Sequence, residues 1–312
     1  MITTLALFLL ASAPQQDALT PTDVLEFGQF SATGTFRMNA GRGSITAPTT
    51  DVDFDTDAFL FQLDAAVGLG MGFEVELSIP WQFQGSTQGD GTFGGSSIET
   101  DQGLSGFGDL TLSAVYRLLK EETLTPQWIL AIIVQPPSGS DKRGDPEVIQ
   151  GGVLTQAEDE GAIGDGVWRY GFATALSKKV GLVEPYAALS YVFGGTRTRN
   201  GVREDRADVL DILLGVEWHV SPDATIDTRA ILQFEGKDIT EDNLVKVREE
   251  AHWSYGAQAT LRVHLGGGFS LIAGGTVLSV EDHEANDVTM LDQEDTFFYQ
   301  LQFGLHFYFG AK

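Results

Sequence analysis

The chain has no cysteine and little positive charge: 19 Lys and Arg stand against 44 Asp and Glu, a formal net charge of −25. Without a thiol there is no disulfide, no thiolate metal site, no cysteine nucleophile and no lipidated cysteine anchor. The acidic excess repels nucleic acid, whose binding rests on basic contacts to phosphate, so no nucleic-acid partner is expected. Long apolar runs are also missing. A membrane helix needs roughly 20 consecutive apolar residues, and nothing beyond the first 13 positions approaches that. Phosphate-binding loops, a nucleophile elbow and zinc-ligand spacings are absent as well, so neither a cofactor nor a metal is expected.

The start, MITTLALFLLASAPQQDALT, has an apolar run from Leu5 to Ala11 followed by Ala11-Ser12-Ala13, the pattern of an export signal, although no Lys or Arg precedes it. The organisation expected is a signal peptide over residues 1–18, cut between Ala13 and Ala18, and one domain over 19–312.

What the chain does have is 37 Gly, 20 Phe and a hydrophobic fraction of 42%, laid out with a period of two. The closing FFYQLQFGLHFYFGAK sets Phe297, Tyr299, Leu301, Phe303, Leu305, Phe307 and Phe309 on one parity and Gln300, Gln302 and His306 on the other. Successive side chains leave opposite faces of a strand, so one face wants oil and the other tolerates water. The stripe recurs at Phe59–Leu69, Phe73–Phe83, Leu110–Leu118, Leu210–Val220, Ala224–Phe234, Trp253–Leu265 and Phe269–Val280. Weaker versions cover Gly28–Met38, Gln127–Gln135, Gly166–Ser177 and Pro185–Phe193, giving about 12 strands, each near the 9–11 residues of a tilted transmembrane strand.

Connections alternate between short (70–72, 120–126, 178–184, 221–223, 266–268) and long (39–57, 84–107, 136–165, 194–207, 236–250, 281–295). Short periplasmic turns and long external loops produce that rhythm in outer-membrane barrels, whereas a soluble β-sandwich has no reason to. In hydrocarbon every backbone polar group must be paired, so strands can span only as a closed barrel. The fold class expected is therefore all-β, a transmembrane antiparallel up-and-down barrel closed by pairing the last strand with residues 30–38. Trp81, Phe83, Trp168, Phe234 and Trp253 would form one aromatic girdle, and Tyr116, Trp128, Trp218, Phe269 and Phe307 the other.

The opposite parity then faces the lumen. It carries Arg37, Asp64, Glu76, Arg117, Arg169, Asp211, Glu217, His219, Asp227, Arg229, Arg262, His264 and His306, which are the candidates for a charged lining. Centring a turn on Ser221–Asp223 sets Asp227 opposite Glu217 with Arg229 on the diagonal, so a charge cluster is expected there. Such a cluster serves either as a hydrated internal brace or as a constriction that sets selectivity. Roughly 12 strands should leave a narrow lumen, between the filled interior of eight strands and the water channel of 16.

GFGDLTLSAVYRLL, Gly106 to Leu119, resembles the Gly-x-Gly-Asp strand-opening motif of the outer-membrane family named for a meta-pathway of phenol degradation. VEPYAALSYVFGG, Val183 to Gly195, fits the same layout. The resemblance implies a small barrel that transports hydrophobic or aromatic compounds. One departure is the ending, where Gly310, Ala311 and Lys312 follow Phe309.

Two other patterns are weaker. In HWSYG, His252 and Ser254 share a strand face, as the catalytic pair of outer-membrane lipid hydrolases does, but parity points them into the barrel, away from lipid, and Tyr255 stands where those enzymes carry Asn. DVDFDTD places Asp51, Asp53 and Asp55 at alternate positions as in a calcium loop, yet Thr56 replaces the Gly and Gln62 the bidentate Glu; a solvated acidic loop is expected, able at most to share divalent ions with lipopolysaccharide. The function expected is passive uptake of a small solute, without catalysis, with a barrel that transports nothing and a lipid-processing enzyme as alternatives. The partners expected are the solute, outer-membrane lipid and lipopolysaccharide, and the barrel-assembly machinery.

Overall fold

The computed structural model describes residues 24–139, 147–157, 163–164, 166–199, 201–241, 245–287 and 290–310. The expected signal and the final Ala311-Lys312 lie outside them. Among the described residues every regular element is a strand. Twelve form a barrel: β1 Phe30–Ala47, β2 Thr50–Gly70, β3 Phe73–Phe93, β4 Thr111–Leu119, β5 Gln127–Gln135 and β6 Arg169–Ser177. The circuit continues through β7 Val183–Phe193, β8 Val209–Ser221, β9 Ala224–Glu235, β10 His252–Gly266, β11 Phe269–Val280 and β12 Leu291–Phe309.

Each strand pairs antiparallel with the next, and β12 returns to β1 in continuous register from Phe30↔Phe309 to Arg42↔Phe297. No barrel edge is left unpaired, which is the condition for strands to stand in hydrocarbon. The β2–β3 turn is two residues long, Met71-Gly72, with φ of 56° and 79°. Positive φ at both central positions is the type I′ geometry that matches strand twist, which the glycine accommodates without strain.

The apolar parity faces outward. Phe36, Ile132 and Phe303 are 57%, 65% and 55% exposed, and Leu63, Phe172, Leu214, Leu271 and Leu301 are exposed beside them. A soluble protein seldom exposes a contiguous apolar patch beyond a few hundred Å², so this belt is lipid-facing surface. Aromatic pairs border it. Trp81 packs on Phe83 and Phe107 with ring centroids 4.4 and 5.3 Å apart, and Phe234 on Trp253 at 5.0 Å, near the long connections. Phe73 meets Tyr116 at 4.4 Å and Phe269 meets Phe307 at 4.8 Å near the tight turns.

The structure corrects the expected loops. Much of 39–57, 84–107, 194–207, 236–250 and 281–295 is strand. The β1–β2 hairpin runs on through Arg42↔Asp55 to Ala47↔Thr50, so the Asp51, Asp53 and Asp55 series lies on a strand and not in a loop. Ser96–Gly103 extends β3, and a four-stranded sheet is built from Thr196–Arg199, Val202–Asp205, Asp238–Glu241 and Lys246–Glu249. The reason is physical. At about 3.3 Å per residue the 21 residues of β2 run about 70 Å, against an apolar band of about 25 Å. Above the lipid both faces meet water, so the apolar alternation vanishes while backbone pairing continues.

The Gly-x-Gly-Asp motif gains a structural account. Gly106 and Phe107 pair with Gln82 and Trp81 of β3, and the Gly108 N–H donates to the Pro80 carbonyl at 3.0 Å. A Cβ on Gly108 would sit 2.9 Å from the Pro80 ring. The Asp109 carboxylate then accepts the Gly139 N–H at 2.8 Å, tying the next connection down.

Candidate functional site: the barrel lumen

Inside the barrel a cavity of about 1830 Å³ reaches from the short-turn end past mid-barrel to Thr35, Gln62 and Gln302. Asp64, Glu76, Arg117, Glu217, His219, Asp227, Arg229, Arg262, His264 and His306 all line it. Arg37 and Asp211, 4% and 8% exposed, are buried and do not line it; Arg169 is half-buried and also stands apart.

The candidates fall into distinct groups. In the first, the Gln62 amide donates to Asp64 at 2.7 Å and to Ser78 at 3.0 Å. Glu74, beside Glu76, accepts the Leu25 N–H at 2.6 Å, and Arg117 donates to Glu26 at 2.7 Å and to the Val24 carbonyl at 3.4 Å. The segment 24–26 is thereby held at the short-turn mouth against the inner face of β2. Gly68 makes room for it, since a Cβ there would be 2.0 Å from the Glu26 carbonyl oxygen. The Arg117 guanidinium, through that hydrogen bond and its charge, holds the Glu26 carboxyl below the usual carboxylate range.

The second group is the expected β8–β9 cluster. Glu217 stands opposite Asp227 in register, and Arg229 Nε lies 3.7 Å from the Asp227 carboxylate while donating to Gln258 at 2.5 Å. Sequence reasoning missed a further member, Tyr186 of β7, whose hydroxyl donates to Asp227 at 2.7 Å. The third group is a histidine face: His306 hydrogen-bonds Thr33 at 2.8 Å, His264 hydrogen-bonds Ser270 at 2.8 Å, and Arg262 lies in the same cavity wall. His219 lies 3.6 Å from Glu184. Asp211, higher up, accepts the Ser190 hydroxyl at 2.9 Å.

The lining is not polar all round. Along β4 to β9 the inward positions Val115, Ile129, Ala131, Ile133, Ala173, Ala175, Ala188, Leu213 and Ile231 form one buried apolar cluster, which Val24 joins from the segment at the mouth. Ile133 and Ala173 reach the cavity wall itself. The weak alternation of β5 and β6 had concealed this strip, because apolar residues occupy both faces there. Toward the long-connection end the same cluster continues through Phe54, Leu278 and Phe298. Phe298 rests on Gly41, where a Cβ would be 2.2 Å from its ring, and Phe54 rests on Gly43, where a Cβ would be 2.6 Å away.

His252 and Ser254 point inward and are buried, as parity predicts. His252 stacks on His283 with ring centroids 3.9 Å apart, and its Nδ1 contacts the Glu250 carbonyl at 3.3 Å.

Solved structures share the architecture. An outer membrane channel from Pseudomonas putida F1 superposes with a TM-score of 0.60 over 93% of this chain and 100% of its own, at 15% sequence identity. The transport unit of the autotransporter AIDA-I from Escherichia coli gives 0.51 over 98% of each chain at 9% identity. At such identities the likeness concerns the fold alone. In sequence, residues 33–162 match the model of the family described as "Putative MetA-pathway of phenol degradation", a stretch that contains the Gly106–Leu119 motif.

Proposed function

We propose that the chain is exported by its N-terminal signal to the outer membrane of a Gram-negative cell and there admits a small neutral solute of aromatic or otherwise apolar character by passive diffusion. The carrying observation is the mixed lumen, in which Ile133 of β5 and Ala173 of β6 bring the apolar strip to the cavity wall while β1–β3 and β8–β12 supply ionic and amide groups. An apolar ring lying on the strip loses little on leaving water, while polar groups opposite keep the passage wet enough for release. Toward the long-connection end Phe54 and Phe298 seat aromatic rings on Gly43 and Gly41, which suits a planar ring better than a sugar. The phenol-degradation description of the matched family and the channel described from Pseudomonas putida support the same reading.

The ionic wall sets polarity and size limits. Arg37, Asp64, Glu76, Arg117, Arg169, Asp211, Glu217, Asp227, Arg229, Arg262, His264 and His306 are the lining and bracing residues assigned to that role. The net charge of −25 disfavours anions near the mouth at low ionic strength, so phenols pass more readily than carboxylates. Lipid and lipopolysaccharide surround the barrel, and the barrel-assembly machinery inserts it.

The test is reconstitution of purified protein into planar bilayers and liposomes challenged with neutral phenols, sugars and benzoate-type acids. Phenol uptake exceeding that of both other classes supports the reading. Absence of both conductance and uptake sinks it and leaves a barrel with a purely structural role.

A further inference from the structure

We propose that Glu249, His252 and His283 form a binding site for one divalent transition-metal ion of the zinc class, placed above the lipid on the long-connection side. Glu249 ends the strand Lys246–Glu249, His252 opens β10, and His283 opens the short strand His283–Asn286, so the ion joins two successive connections. Their ligand atoms all lie within 4.8 Å of one another. Ligands around a tetrahedral zinc stand about 3.3 Å apart, given bonds of about 2.0–2.1 Å, so small side-chain rotations complete the shell.

The ring nitrogens are oriented for ligation. His252 Nδ1 faces the Glu250 carbonyl at 3.3 Å and His283 Nδ1 faces the Glu281 carbonyl at 2.9 Å. A carbonyl oxygen only accepts, so both Nδ1 atoms carry a proton, and in the neutral rings both Nε2 atoms present lone pairs. Each lone pair looks at a carboxylate: His283 Nε2 is 3.3 Å from Glu249, and His252 Nε2 is 3.8 Å from Glu235. Acceptor facing acceptor calls for a cation between them: a proton on one ring answers one contact, and a metal ion answers both. Protonating both rings would place two like charges face to face, since the imidazoles stack with centroids 3.9 Å apart and planes 16° from parallel. One divalent ion satisfies both nitrogens and the Glu249 carboxylate together, with Glu235 or water as fourth ligand. A backbone carbonyl that orients the second ring nitrogen is the arrangement that fixes metal-binding histidines.

Backbone hydrogen bonds join the two connections around the site. Glu250 N–H donates to the Glu284 carbonyl at 2.8 Å and Asp287 N–H to the Arg248 carbonyl at 3.1 Å, bracketing the three ligands. Both histidines are only 7% exposed, so the site is built into the edge of the barrel and is not a surface cluster. Imidazole with carboxylate suits zinc, nickel or copper and not calcium or magnesium.

The test uses the refolded full chain in detergent, freed of metal by chelation, and titrates zinc chloride by calorimetry, with cobalt chloride as a spectroscopic probe. One zinc per chain is expected, with a higher thermal midpoint and a visible cobalt band of nitrogen ligation. H252A and H283A should each weaken binding at least 100-fold while heat-modifiable migration shows the barrel still folded. D53N, which removes a carboxylate from the acidic β1–β2 extension, should change nothing. Zinc affinity unchanged in both histidine variants, or lost in D53N, overturns the proposal, as does a wild-type chain that takes up no zinc. If a histidine variant fails to fold, E249Q supplies the decision: affinity lowered 10-fold or more supports the site, and unchanged affinity overturns it.

Discussion

The Tyr186 hydroxyl reaches across β8 to donate a 2.7 Å hydrogen bond to Asp227 on β9, two strands away. The route exists because Gly215, the register partner of Tyr186, carries no side chain; a Cβ there would lie 2.4 Å from the ring's Cζ. A glycine and a tyrosine on neighbouring strands therefore act as one unit that braces three adjacent strands along the lumen wall. Removing the hydroxyl in Y186F should destabilise the barrel by about 1.5–3 kcal/mol, the range for a hydrogen bond to a charged group. The measurement is the urea midpoint for unfolding from lipid vesicles. G215A should produce a similar loss by displacing the ring, and the double variant should cost less than the sum, because both act on one contact. Full additivity would show that the two residues do not work together.

The lipid-facing assignment makes a sharper test. Phe303 is 55% exposed near the middle of the stretch of β12 that pairs with β1, so F303R puts a cation near the bilayer midplane. A penalty of about 2–4 kcal/mol is expected there, falling toward zero outside the lipid. D292R, on the same strand but in its extension beyond the belt, should be nearly neutral in the same folding assay. Equal effects at the two positions would mean that the apolar parity does not face lipid.

Legibility in the sequence follows the same boundary. Where lipid covers one face, alternation located the strands closely: Gln127–Gln135 and Phe269–Val280 agree with the structure to the residue. Beyond the lipid the pattern carried no information, and the extensions through Asp51, Asp53 and Asp55 looked like loop. The Glu217–Asp227 pair was legible because a tight turn fixes register for the residues beside it. Tyr186 and the apolar strip were not, since they depend on which strands neighbour one another around the barrel. The cluster of Glu249, His252 and His283 was hidden for the same reason: its members come from two separate connections, and no spacing rule joins them.

The aromatic rings toward the long-connection end should control throughput. Phe298 packs over Gly41 and belongs to the apolar cluster that also contains Phe54 and Leu278. F298A removes a ring from the outer part of the lumen and should raise unitary conductance while blunting the preference for phenols over sugars. G41A should push the ring off its seat and change conductance in either direction, but it should have no effect in the F298A background. Conductance and selectivity that ignore Phe298 would place the narrow point elsewhere.

Acid should loosen the segment at the short-turn mouth. Arg117 holds the Glu26 carboxyl below its usual value of 4.5, so the contact between them stabilises the folded arrangement above that pH and is lost as pH falls through the depressed value. Lumen conductance in wild-type protein should therefore rise as pH drops below 4.5, beyond what the other carboxylates contribute. E26Q, which cannot form the ion pair, should show that raised component at neutral pH and lose its pH dependence. The absence of native cysteine permits a direct reading as well: in V24C a thiol at a position only 4% exposed should react slowly with maleimide at pH 7. Adding E26Q should accelerate that labelling several-fold, because Val24 packs on the apolar strip only while Arg117 retains Glu26 two residues away. Equal labelling with and without E26Q would show that the segment is held by Glu74 and the apolar contact alone.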